Sequence, residues 1–345
     1  MRFWIVVPAM DRAPELTETV TRALALDSAQ HPVDVLVVDD GSADETPDLL
    51  AAIHDARLHV LRRDLPEARQ GKADAINAAY RMIRQRASWD GIEGQTIIGV
   101  LNADGHGTPG MLAHVAALFS SRAVGAVQCR LRVRDRRKIA GVLQDLESAV
   151  AGNASQRLAD ALGSVELTGH GHFVRLTTLT RLGDEPWSAD LGLRLHLAGV
   201  GIRYADKAIV SHPAAMGLVR SPLGLRRLHY VRPLVRSPRI RTLALLDHLY
   251  TLLAPWSALP VALAVLGLIA YGGVTGPNAI VLLAVVSGPG LAWGVLHRMR
   301  FGDEPLRRTL AAGLLYPLLL VATTVAATRA LRQKTMPQRE IAVAV

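Results

Sequence analysis

Three short polar clusters interrupt the first part of the chain, each at the end of an apolar run. Asp11 follows Phe3–Val7 and Pro8, Asp39-Asp40-Gly41-Ser42 follows Val33–Val38, and Asn102-Ala103-Asp104-Gly105 closes Thr96–Leu101. Adjacent carboxylates such as Asp39 and Asp40 can accept hydrogen bonds from a nucleobase or a ribose. Asp104 offers hard oxygen to a divalent cation. Such a cation would bridge a diphosphate and neutralise it as a leaving group. Gly71-Lys72 could bring an ammonium to the same phosphates. Taken singly, each cluster is as well explained by a turn of solvated acids; the functional reading rests on their order and shared placement. Neither GxGxxG nor GxxxxGK[ST] occurs, so dinucleotide and P-loop chemistry lack support.

Groups at strand ends act together only if one sheet gathers those ends. The apolar runs Phe3–Val7, Val33–Val38, Val60–Leu61 and Thr96–Leu101 alternate with helically spaced segments at Leu16–Leu26, Thr46–Ile53 and Ala73–Ile83. That alternation predicts an α/β fold with a mostly parallel, doubly wound sheet. Ligands bind such sheets beyond the carboxyl ends of the strands.

The 345 residues are 50% hydrophobic but only 4% aromatic, with a net charge of +9 and one cysteine. Disordered chains and disulfide scaffolds are excluded on these figures. Cys129 reads as a small buried hydrophobe. The excess apolarity is gathered late: Leu249–Leu296 contains no acidic or basic residue. Turn residues at Gly272-Gly273 and Thr275–Asn278 split it into spans near Leu249–Gly272 and Ala279–Leu296, and Thr309–Thr328 forms a third. About three transmembrane helices are therefore expected within 243–330, with Leu243–Leu253 or a re-entrant run leaving the count open. Arg220–Arg241 holds seven arginines and no acid. This basic segment, 220–242, is expected to lie at the interface, facing anionic lipid rather than nucleic acid, with Leu223, Leu225, Leu228 and Val231 on its buried face. Residues 331–345 form a polar tail. Arg2 and the short run before Pro8 do not make a signal peptide. Residues 1–219 are expected to be a cytoplasmic domain on a multi-pass protein of the cell membrane.

Seven segments, in order, resemble membrane-bound glycosyltransferases of family 2, the GT-A type that includes cellulose, hyaluronan and poly-N-acetylglucosamine synthases. They are Val6–Asp11, Val37–Thr46, Gly71–Asn77, Leu101–Gly105, Gly125–Gln128, Leu167–Arg175 and Asp190–Gly199. The resemblance implies a GT-A type mixed sheet and Mg²⁺ or Mn²⁺ as cofactor. It implies a nucleotide-diphosphate sugar as donor, held by Pro8, Ala9, Asp11, Asp39, Asp40, Lys72, Asn102 and Asp104. Asp104 would be the metal ligand. Gly169, Gly171, His172 and Arg175 would line the acceptor side, for a glycan or a lipid.

Departures accompany the matches. Where the family carries Thr-Glu-Asp, this chain has Pro186, Trp187 and Ser188. The acid that would deprotonate an acceptor hydroxyl is displaced. Asp190 is the first candidate, with Glu185 and Asp184 behind it. The interfacial Gln-x-x-Arg-Trp is replaced by Arg226–Tyr230, and the first acid of Asp-x-Asp is Asn102. His212 is a possible third metal ligand, and His170 or His172 a contact for acceptor or phosphate. The expectation is a membrane-anchored inverting glycosyltransferase. A catalytically degraded GT-A domain serving as a membrane partner or scaffold is the alternative.

Overall fold

The computed structural model describes residues 1–26, 30–214, 229–256 and 276–332, with isolated positions 263 and 267. Eight strands form one sheet in the order β3-β2-β1-β4-β7-β6-β8-β5. They are β1 (Arg2–Ala9), β2 (Val33–Asp40), β3 (Leu58–Arg63), β4 (Thr96–Val100), β5 (His106–Gly107), β6 (Val124–Val133), β7 (His172–Arg175) and β8 (Gly201–His212). Strands β3, β2, β1 and β4 run parallel; β7 is antiparallel to both β4 and β6, and β5 is antiparallel to β8. The parallel half matches the sequence expectation. The antiparallel insertion of β7 makes the whole sheet mixed.

Strand β2 is buried at all eight positions, which is what a continuous apolar run covered on both faces demands. Side chains alternate between two cores. Phe3, Ile5, Val7, Val35 and Val37 face one, against Leu16 and Val20 of α1 (Ala13–Leu24) and against α4 (Met111–Phe119); Trp4, Val6, Leu36 and Val38 face the other, against Ile76, Tyr80 and Ile83 of α3 (Lys72–Trp89). The short α2 (Thr46–Ala51) follows β2. Glycine is required at position 99 of β4, where a Cβ would lie 2.3 Å from the ring of Phe173, its cross-strand partner. The strand order reverses at β1, so the carboxyl ends of β2, β1 and β4 open a crevice.

The second region is a helical hairpin, 276–301 and 306–332. Its helices approach closely at glycines: a Cβ on Gly290 would lie 2.2 Å from the carbonyl oxygen of Gly313. Small residues at a helix contact permit this approach. The hairpin packs on α5 (Ile139–Asp145) and the π-helical turn Leu146–Ala151 through Val142, Leu146, Ala312 and Leu319. Asp145, with no exposed side-chain surface, is the polar centre of this junction. It accepts from His297 at 2.8 Å, Arg132 at 2.7 Å, Arg136 at 2.9 Å and the backbone N–H of Val133 at 2.8 Å. Burial would raise its pKa, but the hydrogen bonds from His297 and Arg132 hold it well below the usual carboxylate range.

Among the described residues one helix is long and apolar enough to cross a membrane, Leu306–Ala326, which contains most of the third expected span. This single candidate helix among the described residues does not by itself support a multi-pass topology. The second expected run lies in the Pro289-containing helix 276–301, which is 26 residues long. The first begins in the apolar helix Thr242–Leu253, and its remainder lies largely outside the described residues. Leu223, Leu225, Arg226, Arg227 and Leu228, and the tail beyond 332, also lie outside them. Val231 opens the helix Val231–Arg236, and Tyr230 packs with it against Leu193, Leu234 and Leu252.

Candidate active site

The crevice is walled by strand ends, and parallel register decides its chemistry. Asp39 lies opposite Arg62 and Asp40 opposite Arg63. The Asp39 carboxylate accepts from Arg62 and, at 3.0 Å, from the N–H of Ser42. Asp40 accepts from Arg63 at 2.8 Å, while Arg63 also reaches Asp74 and the carbonyl of Glu67. Burial raises the pKa of Asp40, and the Arg63 charge opposes that rise. Both carboxylates are thus committed to arginines, so a nucleoside reaching them would share or displace an ion pair. Sequence reasoning missed these arginines. Two basic residues ending the strand after two acids was the available signal.

Asp11, at the end of β1, takes the N–H of Ala43 at 2.8 Å and Arg69 at 3.2 Å. Its own N–H donates to Ser42 Oγ at 3.0 Å, which ties the β1 and β2 ends together. Pro8 and Ala9 pair with Val38 and Asp39 and form the adjoining wall.

Lys72 is the hub of the site. It begins α3 after Gly71, whose φ of 113° suits glycine. Its ammonium donates to Asn102 Oδ1 and, at 3.0 Å, to the carbonyl of Gly169. The surrounding protein pushes it down to about 8, with the Asp104 carboxylate opposing. The side chain keeps contact with solvent, which limits that shift. Gly169 and Gly171, at φ 86° and 65°, form a loop clamped by buried Gln128. The amide of Gln128 donates to the carbonyls of His170 and Gly171, both at 3.2 Å, and accepts from Thr168 N–H at 2.9 Å. Lys72, Asn102, Asp104 and Gly169 are therefore brought together as expected.

His172 lies beside this group. It pairs with Val100 in register and stacks on Trp187, with ring centroids 6.1 Å apart. Burial, then the Lys72 charge, pushes its pKa down to about 3, so the ring is neutral. Both ring nitrogens and Trp187 Nε1 are buried without a hydrogen-bond partner among the described residues. Trp187 occupies the place where the resemblance expects an acid. Its backbone is held by Asn77, which donates to its carbonyl at 3.1 Å and accepts from its N–H at 2.8 Å.

Other expected residues lie elsewhere. Arg175 is at the far end of β7, opposite Ile97, and binds the carbonyls of Val124 at 2.8 Å, Ser121 at 3.2 Å and Phe119. It ties the turn between α4 and β6 and does not line the acceptor side. Asp184 and Glu185 are exposed and pair with Arg84 at 2.7 Å and Arg81 at 3.7 Å on α3, away from any role as base. Asp190 is half-buried at the N-cap of α8 (Leu191–Leu197), and its side chain makes no capping hydrogen bond. His212 Nδ1 donates to the carbonyl oxygen of Pro213, 2.7 Å away, and the ring packs edge-on against His170. Cys129 is buried and its thiol pKa is pushed up, as a buried hydrophobe's should be.

The sequence model described as glycosyltransferase like family 2 matches residues 2–221. The chain belongs to this family. This glycosyltransferase is 31% identical over 201 residues to the beta-monoglucosyldiacylglycerol synthases of Trichormus variabilis and a Nostoc species. Those matches cover 56% of the chain and 41% of each relative, so the chain spans about two fifths of the curated relatives it matches. Among solved structures, the mannosyltransferase PcManGT from Pyrobaculum calidifontis, in complex with GDP-Man and Mn²⁺, superposes with a TM-score of 0.56 at 21% identity, covering 96% of this chain and 88% of that one. TarS 1–349 of S. aureus, in complex with UDP-GlcNAc, gives 0.51 at 14% identity, covering 92% of each chain. At these identities the likeness establishes the fold, a mixed α/β sheet of the GT-A kind.

The glycosyltransferase offers one fitting atom to a divalent cation. Asp104 Oδ1 is buried and has no hydrogen-bond partner among the described residues. No group of three His, Cys, Asp or Glu converges there among the described residues. A small cation held by one or two protein oxygens and completed by phosphate fits that donor set.

Proposed function

We propose that the protein is a membrane-associated, inverting glycosyltransferase that moves a sugar from a nucleotide-diphosphate sugar to the hydroxyl or phosphate of a lipid acceptor. The observation that carries this reading is the Lys72 bridge, which joins the N-terminus of α3, the β4 end at Asn102 and the Gly169 loop. A diphosphate meeting Lys72 would also meet the positive end of an 18-residue helix. Asp104 and Asn102 would hold Mg²⁺ or Mn²⁺, which when bound supplies charge neutralisation for the departing diphosphate. Pro8, Ala9 and Asp11 would face the nucleoside, with Asp39 and Asp40 behind them under their arginines. Gly169, Gly171 and His172 would line the acceptor side. Asp190 would accept the proton of a hydroxyl acceptor. The relatives' names favour a glucosyl donor and a diacylglycerol lipid, and the apolar helix Leu306–Ala326 favours membrane association.

The test is a panel of UDP-, GDP- and dTDP-sugars with Mn²⁺ and detergent-purified protein, read by nucleoside diphosphate release. Turnover with at least one donor is expected. The occupation of the acid's usual place by Pro186, Trp187 and Ser188 favours a second reading, a scaffold that has lost catalysis. Absence of nucleotide binding by isothermal titration would select that reading.

A further inference from the structure

Three arginines alternate where β6 ends, at positions 132, 134 and 136. The outer two face acids. Arg132 reaches Asp145 at 2.7 Å and Asp303 at 3.2 Å, and Arg136 reaches both at 2.9 Å. Arg134, between them, forms no ion pair among the described residues. Its Nη1 donates instead to the carbonyl of Asp104 at 2.7 Å and, at the outer limit of a hydrogen bond, to that of Ser211 at 3.5 Å. Its own backbone N–H donates to the carbonyl of His212 at 2.9 Å. The half-buried Arg134 thus stands on backbone held to β8 on one side and flanked by two paired arginines. It lies outside all seven family-like segments.

The turn that Arg134 reaches carries the candidate metal ligand. The turn is tight: the N–H of Gly105 donates to the carbonyl of Asn102 at 2.9 Å, and a Cβ at Gly105 would lie 3.2 Å from that oxygen. Lys72 holds the Asn102 side chain at one end. At the other end Asp104 Oδ1 is buried and has no partner among the described residues. A side chain without a bond to aim it takes its direction from its backbone. The bond from Arg134 fixes the plane of the peptide joining Asp104 to Gly105, and with it the direction of the Asp104 Cα–Cβ bond.

We propose that Arg134 is a positioning residue for the divalent cation, acting through the backbone of Asp104. The proposal rests on the glycosyltransferase reading and on Asp104 as the metal ligand. With one carboxylate ligand, and Asn102 already bonded to Lys72, the aim of that carboxylate decides the site's affinity. Partners outside the ligand shell set such an aim, and a site left without them is loose. Arg134 is charged at every working pH, so its charge-assisted bond to the carbonyl holds throughout.

The test follows Mn²⁺ binding by loss of the free ion's electron paramagnetic resonance signal. It uses the full chain in neutral detergent, with whichever of UDP, GDP or dTDP the wild type binds. Arg134→Ala should weaken Mn²⁺ binding about tenfold, the lower end of what such outer partners cost. Arg134→Lys, whose ammonium can still donate to one carbonyl, should recover most of that loss. Nucleotide affinity in EDTA should be the same in both variants as in wild type. On the residual Mn²⁺ binding of Asp104→Ala, adding Arg134→Ala should have no further effect, since the two residues act as one unit. In turnover the KM for Mn²⁺ should rise while kcat at saturating Mn²⁺ stays level. Unchanged Mn²⁺ affinity in Arg134→Ala would overturn the proposal and leave the glycosyltransferase reading standing. So would a loss that persists in the Asp104→Ala background or appears in EDTA, which would assign Arg134 to the nucleotide phosphates. If Arg134→Ala lowers the melt, Arg134→Lys carries the test, and its failure to recover Mn²⁺ affinity overturns the proposal. Wild-type Mn²⁺ affinity in Asp104→Ala would remove the metal assignment and the proposal with it. Failure to bind any nucleotide would instead defeat the broader reading.

Discussion

The two halves of the cleft follow opposite plans. At the ends of β1 and β2 the carboxylates are satisfied: Asp39 by Arg62 and Ser42, Asp40 by Arg63, Asp11 by Ala43 and Arg69. Around the β4 end and β7, Asp104 Oδ1, both nitrogens of His172 and Trp187 Nε1 are buried without partners among the described residues. A satisfied buried network rigidifies a site, whereas each orphaned polar atom costs on the order of 1–3 kcal/mol. The first half is finished by the fold. The second holds stability in reserve for what binds there, a trade between stability and activity that enzymes commonly make.

Substitutions should separate the two halves. Arg63→Ala strips Asp40 and Asp74 of their partner and should destabilise the domain by about 3–5 kcal/mol in denaturant titration. A loss below about 1 kcal/mol would erase the contrast. Asp104→Ala should lower sugar transfer by about 10²–10³-fold, the scale of one preorganised electrostatic contact, while the melt stays level or rises. Full activity in that variant would sink the metal assignment. Lys72 gives a pH signature. Its ammonium is pushed down to about 8 in the free protein, and only the charged form attracts diphosphate. Donor affinity should hold at lower pH and fall as pH rises through that value. Lys72→Arg, charged throughout, should flatten the profile, and an unchanged fall would implicate another group. The smallest effect is expected from His172→Met. Removing two unpartnered nitrogens should leave stability unchanged or raise it by up to about 1 kcal/mol, with transfer reduced. A loss of more than about 2 kcal/mol would show that the ring is bonded.

The same division governs what the sequence made legible. The acids at the ends of β1, β2 and β4 were visible because buried parallel strands are unbroken apolar runs that stop at turn residues. Even there, Asp39 and Asp40 proved to be the last residues of β2 rather than a turn after it. Their arginines were hidden because pairing between β2 and β3 is a tertiary fact, 23 residues distant along the chain. Arg175 was misplaced for a related reason. Motif order carries no strand direction, and β7 runs antiparallel, which sends His172 to the cleft end and Arg175 to the opposite one. Asn77 sat inside a recognised segment, yet its clamp on Trp187 spans 110 residues.

Helix α3 carries both plans at once. Lys72 opens it and Asn77 follows five residues later, about 7.5 Å along the axis at the usual rise. Its first residue donates to Asn102, and its sixth holds Trp187 by two hydrogen bonds. The gap between the two walls is thus gauged by a stiff helix, as by the jaws of a caliper.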